Sequence, residues 1–106
     1  MTWYKLFDSE KEALEMIPLM QSRLILAGEH KICLSRTKDG FFAVADACPH
    51  LGAPFSKGTL NDFGEVICPW HSYRYNLTDG SECENRTDRA KTYAVRFDEN
   101  GLSIGV

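Results

Sequence analysis

The sequence predicts an all-β protein, a sandwich or partial barrel of short antiparallel strands with one short N-terminal helix. Short segments rich in β-branched and aromatic residues recur along the 106 residues, separated by turns that contain Gly, Asn or Asp. Only one stretch, near the N-terminus, has a helical pattern. A chain of this length buries a single modest core, so we expect one domain over residues 1–106.

The helix is predicted to begin at a capping box. The Ser9 hydroxyl can accept a hydrogen bond from an unpaired backbone N–H, and Glu12 can reach back to the cap. Apolar residues at helical spacing follow. Pro18 has no backbone N–H to continue the hydrogen-bond ladder, so we expect the helix to end before it.

Seven strands are predicted along the rest of the chain: 23–27, 31–35, 41–45, 64–68, 73–77, 91–97 and 102–104. Gly28-Glu29 makes the first two a hairpin. Asn100-Gly101 joins the last two and is typical of a type I′ turn. Residues 81–89 are polar and are predicted to form a loop.

Two short loops each combine a cysteine with a histidine. They are Cys48-Pro49-His50 and Cys68-Pro69-Trp70-His71, both at strand ends. Two thiolates and two imidazoles give the ligand count of a metal site. The proline after each cysteine fixes φ and removes a backbone donor, which stiffens the loop. We therefore expect a small metal-binding subdomain, approximately residues 46–77, on a larger β body.

The mixed ligand set narrows the choice of metal. Zinc fingers place two cysteines in one knuckle and two histidines on a helix, a spacing that this chain lacks. Plant-type and bacterial ferredoxins use four cysteines. One cysteine and one histidine per loop suit a Rieske 2Fe–2S centre, in which two histidines replace two cysteines on one iron. A zinc-ribbon-like interaction module without redox activity is the alternative.

The two loops and their flanks resemble the two-box signature of the Rieske iron–sulfur family. Seventeen residues separate His50 from Cys68, and segments 52–58 and 75–80 are similar to those of small Rieske ferredoxins. The resemblance extends from Trp3 to Val106. It implies a Rieske-like β sandwich that carries two facing knuckle loops. The implied cofactor is a 2Fe–2S cluster with four ligands: Cys48, His50, Cys68 and His71.

The resemblance also implies a function. Low-potential Rieske ferredoxins are soluble one-electron carriers that pass electrons from a flavin-containing, NAD(P)H-dependent reductase to an oxygenase-type acceptor. The chain is not expected to be the oxygenase itself, because only His30 remains for a 2-His-1-carboxylate iron site, and His30 is predicted in a solvated turn. An alternative with the same cofactor is the small subunit of an assimilatory NAD(P)H nitrite reductase.

Residues around the ligands predict the reduction potential. A cluster with two thiolates and two neutral imidazoles carries no net charge when oxidised, so it accepts an electron more readily than a four-cysteine cluster. In the high-potential Rieske type, by resemblance, a disulfide occupies the positions of Ala53 and Trp70, and a serine hydroxyl that of Tyr73. Tyr75 aligns with a tyrosine of that type, so one of its hydroxyl donors is expected to remain here. We predict a potential near the low end of the Rieske range, about −150 mV.

Other side chains near the loops have two possible roles. The apolar residues that flank the ligands either shield the cluster or form a rim for a redox partner: Leu51, Pro54, Phe55 and Trp70. Cys33 alternates with apolar neighbours and is predicted to be a buried thiol. Cys83 lies among acidic residues and is not expected to be a nucleophile. A Cys33–Cys83 disulfide is the alternative.

The composition indicates which kinds of partner to exclude and which compartment to expect. The net charge of −3 argues against nucleic acid and anionic membrane surfaces. No apolar run approaches the length of a membrane span. The polar start has no signal for export, which predicts a cytoplasmic protein, and that compartment disfavours disulfides.

Overall fold

A computed structural model describes all 106 residues, and it confirms the all-β class. The strands are β1 (Trp3–Phe7), β2 (Gln21–Ala27), β3 (His30–Thr37), β4 (Gly40–Ala45), β5 (Thr59–Leu60), β6 (Glu65–Ile67), β7 (Arg74–Asn76), β8 (Thr92–Asp98) and β9 (Gly101–Gly105). One α-helix, α1 (Glu10–Met16), follows β1, and a 3₁₀ turn spans Phe55–Lys57. None of the helices has the length and apolar character that a membrane span requires.

Helix α1 begins at the predicted cap. The backbone N–H of Glu12 donates to Ser9 Oγ at 3.1 Å, and α1 ends before Pro18. Ala13 of the helix and Ile17, the residue that follows the helix, are buried in the first hydrophobic core. The helix therefore covers one face of the large sheet.

The large sheet has six antiparallel strands in the order β1-β9-β8-β4-β3-β2, and it curls into a half-barrel. The β2–β3 pairing runs unbroken from Gln21 opposite Arg36 to Ala27 opposite His30, which confirms the first predicted hairpin. Strand β8 joins β4 at only two residue pairs. The sequence did not predict β1 or β5 as strands.

The hairpin of β8 and β9 forms, but the type I′ prediction is wrong. Asp98 pairs with Gly101, so the turn residues are Glu99 and Asn100, and neither has a positive φ. The positive φ of 118° falls on Gly101, the first residue of β9. A Cβ there would collide with the carbonyl oxygen of Phe7, so the close approach of β1 also requires the glycine.

The small sheet positions the two Cys–His loops. It has the order β5-β6-β7 and lies between β4 and β8 along the chain. The first loop follows β4, and the second loop is the connection between β6 and β7. A second hydrophobic core lies beside them: Cys33, Val44, Cys48, Ala53, Phe55, Val66, Cys68, Tyr75, Leu77 and Ala90. Both loop cysteines are thus part of a packed core.

Candidate metal centre

Both Cys–His loops close with the same backbone hydrogen bond. The N–H of Cys48 donates to the carbonyl of Ala53, and the N–H of Cys68 donates to that of Tyr73, each at 2.8 Å. Each bond spans five residues, so each loop forms a knuckle with its cysteine at the base. In the first knuckle Gly52 has a φ of 80° and open space around its Cβ position. The glycine is therefore required by backbone conformation and not by crowding.

The second knuckle has a left-handed backbone without glycine. His71 has a φ of 64° and Ser72 a φ of 57°. Such angles cost an L-residue roughly 1–2 kcal/mol each. They turn the chain so that the rings of His50 and His71 approach to 5.3 Å between centroids. Backbone strain in this loop thus accompanies the pairing of the two imidazoles.

The structure brings the predicted ligands together in two pairs, thiol beside thiol and imidazole beside imidazole. Cys48 and Cys68 are buried free thiols of one core, and His50 lies edge-to-face with His71. Nδ1 of His50 is buried and has no hydrogen-bond partner. A buried unpaired ring nitrogen is costly, and it is the donor that a metal ion would satisfy.

The chemistry of the donor set fits an iron–sulfur group. Burial raises the pKa of the Cys68 thiol to about 11, a hydrogen bond from the Trp70 backbone opposes the shift, and the adjacent Cys48 adds to it. A bound cation would favour the thiolate form of this buried cysteine. Two sulfur and two imidazole donors are the set that a Rieske-type 2Fe–2S cluster takes.

Tyr75 supplies the hydroxyl that the sequence predicted. Its oxygen lies 3.4 Å from Cys48 Sγ and 2.9 Å from Thr87 Oγ1. Burial raises the Tyr75 pKa, and the contact with Cys48 raises it further. The hydroxyl therefore keeps its proton and can donate to the sulfur when Cys48 is a thiolate.

Tyr73 has a role that sequence reasoning missed. Its ring stacks on the His50 imidazole with 4.2 Å between centroids and 10° between planes. The guanidinium carbon of Arg86 lies 3.7 Å from the centroid of the same Tyr73 ring. The sequence offered only the polar character of residues 81–89, and no periodicity connects Arg86 to Tyr73.

Arg86 is held by the buried carboxylate of Glu82. Hydrogen bonds from Arg86 hold the pKa of that carboxyl well below its usual range, and they raise the pKa of Arg86. Glu82, Cys83 and Glu84 also bring three possible ligand atoms within 4.8 Å of one another. The Glu82 carboxylate is already occupied by Arg86, so this group serves the ion pair.

The flanking apolar residues divide between the two predicted roles. Leu51 and Trp70 are 56% and 51% exposed, and they form what we call the apolar rim. Phe55 is buried and packs edge-on against Tyr75, with 5.1 Å between centroids. Pro54 is half-buried. Buried Phe55 thus has the shielding role, whereas exposed Leu51 and Trp70 form the rim.

The remaining cysteines and His30 lie outside the centre. All four cysteines are free, so the Cys33–Cys83 disulfide is absent. Cys33 is buried as predicted, and burial raises its pKa to about 11. Cys83 is exposed. His30 is exposed at the start of β3, with its ring against Tyr93.

A sequence profile of the Rieske [2Fe-2S] domain matches residues 3–95. This chain belongs to the Rieske [2Fe–2S] domain family. The resemblance stated from the two loops is confirmed, and so is the predicted 2Fe–2S cofactor. The zinc-ribbon alternative is set aside with it.

Two curated relatives share this domain. Apoptosis-inducing factor 3 of Mus musculus is 40% identical over 85 residues, which are 79% of this chain and 14% of that protein. The 3-phenylpropionate/cinnamic acid dioxygenase ferredoxin subunit of Photorhabdus laumondii is 40% identical over 67 residues, 62% of this chain and 64% of that protein. The chain thus spans less than two thirds of the length of either relative.

Solved structures establish the fold. The ferredoxin of carbazole 1,9a-dioxygenase from Nocardioides aromaticivorans superposes with a TM-score of 0.84 at 17% identity, over 99% of this chain and 98% of that one. The nitrite reductase small subunit of Mycobacterium tuberculosis superposes with a TM-score of 0.82 at 22% identity, over 97% and 93%. At these identities the likeness concerns the fold alone.

Proposed function

We propose that this protein is a one-electron carrier whose 2Fe–2S cluster is held by Cys48, His50, Cys68 and His71. The observation that supports the proposal is the presence of two adjacent buried free thiols and of two edge-to-face imidazoles, one of which has an unpartnered buried nitrogen. No acid–base pair for other chemistry accompanies them. The cofactor therefore defines what the site does.

When bound by these residues, the cluster would supply one-electron redox chemistry. The chain's own residues bind it, exclude water and stabilise added charge. Buried Cys48 and Cys68 place the sulfurs in a dry core, and the Tyr75 hydroxyl can donate to one of them. Burial of the sulfur ligands keeps solvent reorganisation small on electron uptake.

The apolar rim supports a partner at this end of the molecule. Leu51 and Trp70 are exposed next to His50 and His71 in the sequence, and His71 is itself exposed. Redox encounters need only a small interface. From the relatives named as dioxygenase ferredoxin subunits, we infer an oxygenase-type acceptor, and a flavin-containing, NAD(P)H-dependent reductase as the donor.

Absorption and EPR spectra of the protein as isolated test the cofactor and ligand assignment. We expect a brown protein with two irons per chain and, by family resemblance, an average g value near 1.9 when reduced. A colourless protein with stoichiometric zinc would overturn it. Turnover then tests the function: NADH, a flavin reductase and this protein should together reduce a Rieske oxygenase, and omission of this protein should stop the reduction.

A nitrite reductase small subunit is the second candidate, because the Mycobacterium tuberculosis structure that carries this description has the same fold. That role requires a permanent large partner. Purification from the native source distinguishes the two candidates: a stable complex with a sirohaem protein supports the nitrite reductase role, and a free small protein supports the carrier.

A further inference from the structure

We propose that Arg86 is a positioning residue for His50, and that its guanidinium, fixed by Glu82 and stacked on Tyr73, also raises the reduction potential. This inference rests on the proposed function only in taking His50 as a cluster ligand. It gives residues 82–87, predicted only as a polar loop, a defined task at the metal centre.

His50, Tyr73 and Arg86 form a three-layer stack. His50 and Arg86 both lie over the ring of Tyr73, at 4.2 Å and 3.7 Å from its centroid. Two planar groups cannot share one face of a phenol ring at these distances, so they lie on opposite faces. Tyr73 is therefore clamped between the guanidinium and the imidazole. Rotation of the His50 ring requires the clamp to open.

Glu82 anchors the guanidinium of Arg86. Glu82 Oε1 accepts from the Arg86 backbone N–H at 2.7 Å and from Nε at 3.0 Å, and Oε2 accepts from Nη2 at 2.8 Å. The Glu82 side chain is fully buried, whereas that of Arg86 is 39% exposed. A buried carboxylate is retained only with such bidentate pairing, so the orientation of Arg86 is fixed.

The loop that carries Glu82 is attached to the metal centre. Glu82 pairs with Tyr75 in an isolated β-bridge, and the N–H of Cys83 donates to the carbonyl of Arg74 at 2.9 Å. Thr87 bonds the Tyr75 hydroxyl at 2.9 Å. The loop is thus fastened to β7, directly after the second knuckle. The guanidinium, and not the carboxylate, is the group that lies on Tyr73.

The charge of the Arg86 guanidinium affects the reduction potential of the cluster. The positive guanidinium lies against the Tyr73 ring, which itself stacks on His50. It therefore favours the reduced cluster, which carries one more negative charge than the oxidised cluster. Glu84 also contacts Arg86, at 3.2 Å, but its side chain is 65% exposed and is screened by solvent.

Redox titration and EPR of four cluster-loaded proteins test the proposal: the natural sequence, Arg86→Gln, Arg86→Lys and Arg96→Gln. Arg96 is the matched control, because its guanidinium also stacks on an aromatic ring, Trp3 at 4.1 Å, on the large sheet. Arg86→Gln should lower the midpoint potential and broaden the EPR lines as His50 samples more orientations. Arg86→Lys should restore most of the potential, because it keeps the charge, but not the narrow lines. Arg96→Gln should change neither.

The proposal is overturned if Arg86→Gln matches the natural sequence in both measurements, or if Arg96→Gln produces the same shifts. If Arg86→Gln does not fold because Glu82 is left unpaired, Arg86→Lys still decides the positioning claim through its line widths. No partner protein enters the assay, so failure of the proposed electron transfer leaves this test intact. A natural protein without a 2Fe–2S signal would instead contradict the ligand assignment.

Discussion

The two Cys–His loops share one backbone closure but support their ligands in different ways. In the first loop, Cys48 is contacted by the Tyr75 hydroxyl and His50 by the ring of Tyr73. Both tyrosines follow the second loop along the chain. In the second loop, Cys68 has a hydrogen bond from its own loop backbone, and His71 is set by a left-handed φ of 64°.

This difference shows that the segment after the second loop serves both halves of the centre. The first loop takes its support from side chains that belong to β7 and its flank, and the second loop takes its support from backbone conformation. His50 is partly buried under Tyr73, whereas His71 is exposed beside the apolar rim. The histidine of the second loop is therefore exposed to solvent, whereas the histidine of the first loop is packed against the protein.

Removing a ligand cysteine should have the largest effect, a loss of bound iron that is equal for the two loops. Cys48→Ala and Cys68→Ala each delete a thiolate, and we expect bound iron to fall from two per chain to near zero. Cys33→Ala is the control, because Cys33 is a buried thiol of the same core. Iron analysis and visible absorbance provide the measurement. A full cluster in either loop variant would exclude that cysteine as a ligand.

Breaking the buried ion pair should have the next largest effect. Glu82→Gln leaves Arg86 without its anchor, and we expect a loss of about 3 kcal/mol in the free energy of unfolding at pH 7. The folded-state pKa of Glu82 is depressed, so its stabilisation is complete above the unfolded value of about 4.5 and is lost as pH falls below it. The variant should therefore show a flatter loss of stability in acid.

Urea unfolding of the loaded protein between pH 7 and pH 3 measures both effects. Glu84→Gln is the matched control, because Glu84 contacts the same Arg86 from an exposed position, and we expect a change of less than about 0.5 kcal/mol. Equal effects of the two substitutions would show that burial of Glu82 is not what makes the pair important.

Local patterns in the sequence predicted the parts of the molecule that local chemistry determines. The cap at Ser9, the hairpin of β2 and β3, and the two Cys–His loops depend on residues within a few positions of one another. Tyr75 was predicted as a hydroxyl donor from the resemblance to the high-potential Rieske type, in which a tyrosine stands at this position. These features need no knowledge of tertiary packing.

Contacts that form only in the folded chain were missed. Arg86 follows Tyr73 by thirteen positions, with β7 and a loop between them, and no spacing rule connects the two residues. The turn before β9 was predicted as type I′ from Asn100-Gly101, but packing against β1 moves the positive φ to Gly101 alone. In both cases tertiary contact overrides the local signal.

Tyr75→Phe should have a smaller effect on the potential, through the first loop alone. It removes the hydroxyl near Cys48 Sγ, and loss of one hydrogen bond of about 1 kcal/mol to the reduced cluster corresponds to a potential lower by about 40 mV. Tyr4→Phe is the control, because Tyr4 packs against the other core. A redox titration makes the comparison. An unchanged potential in Tyr75→Phe would mean that the hydroxyl does not stabilise the sulfur.

The smallest expected effects have opposite signs in the two loops. Gly52 already has the residue type that suits its φ of 80°, so Gly52→Ala should lower the free energy of unfolding by about 1 kcal/mol. Ser72 has a φ of 57° with a side chain, so Ser72→Gly should raise the free energy of unfolding by about 0.5 kcal/mol after the entropy cost of glycine. Thermal or urea unfolding at constant cluster content measures both. If Ser72→Gly is destabilising instead, the Ser72 side chain stabilises the second knuckle by more than its backbone strain costs, and side chains then support both loops.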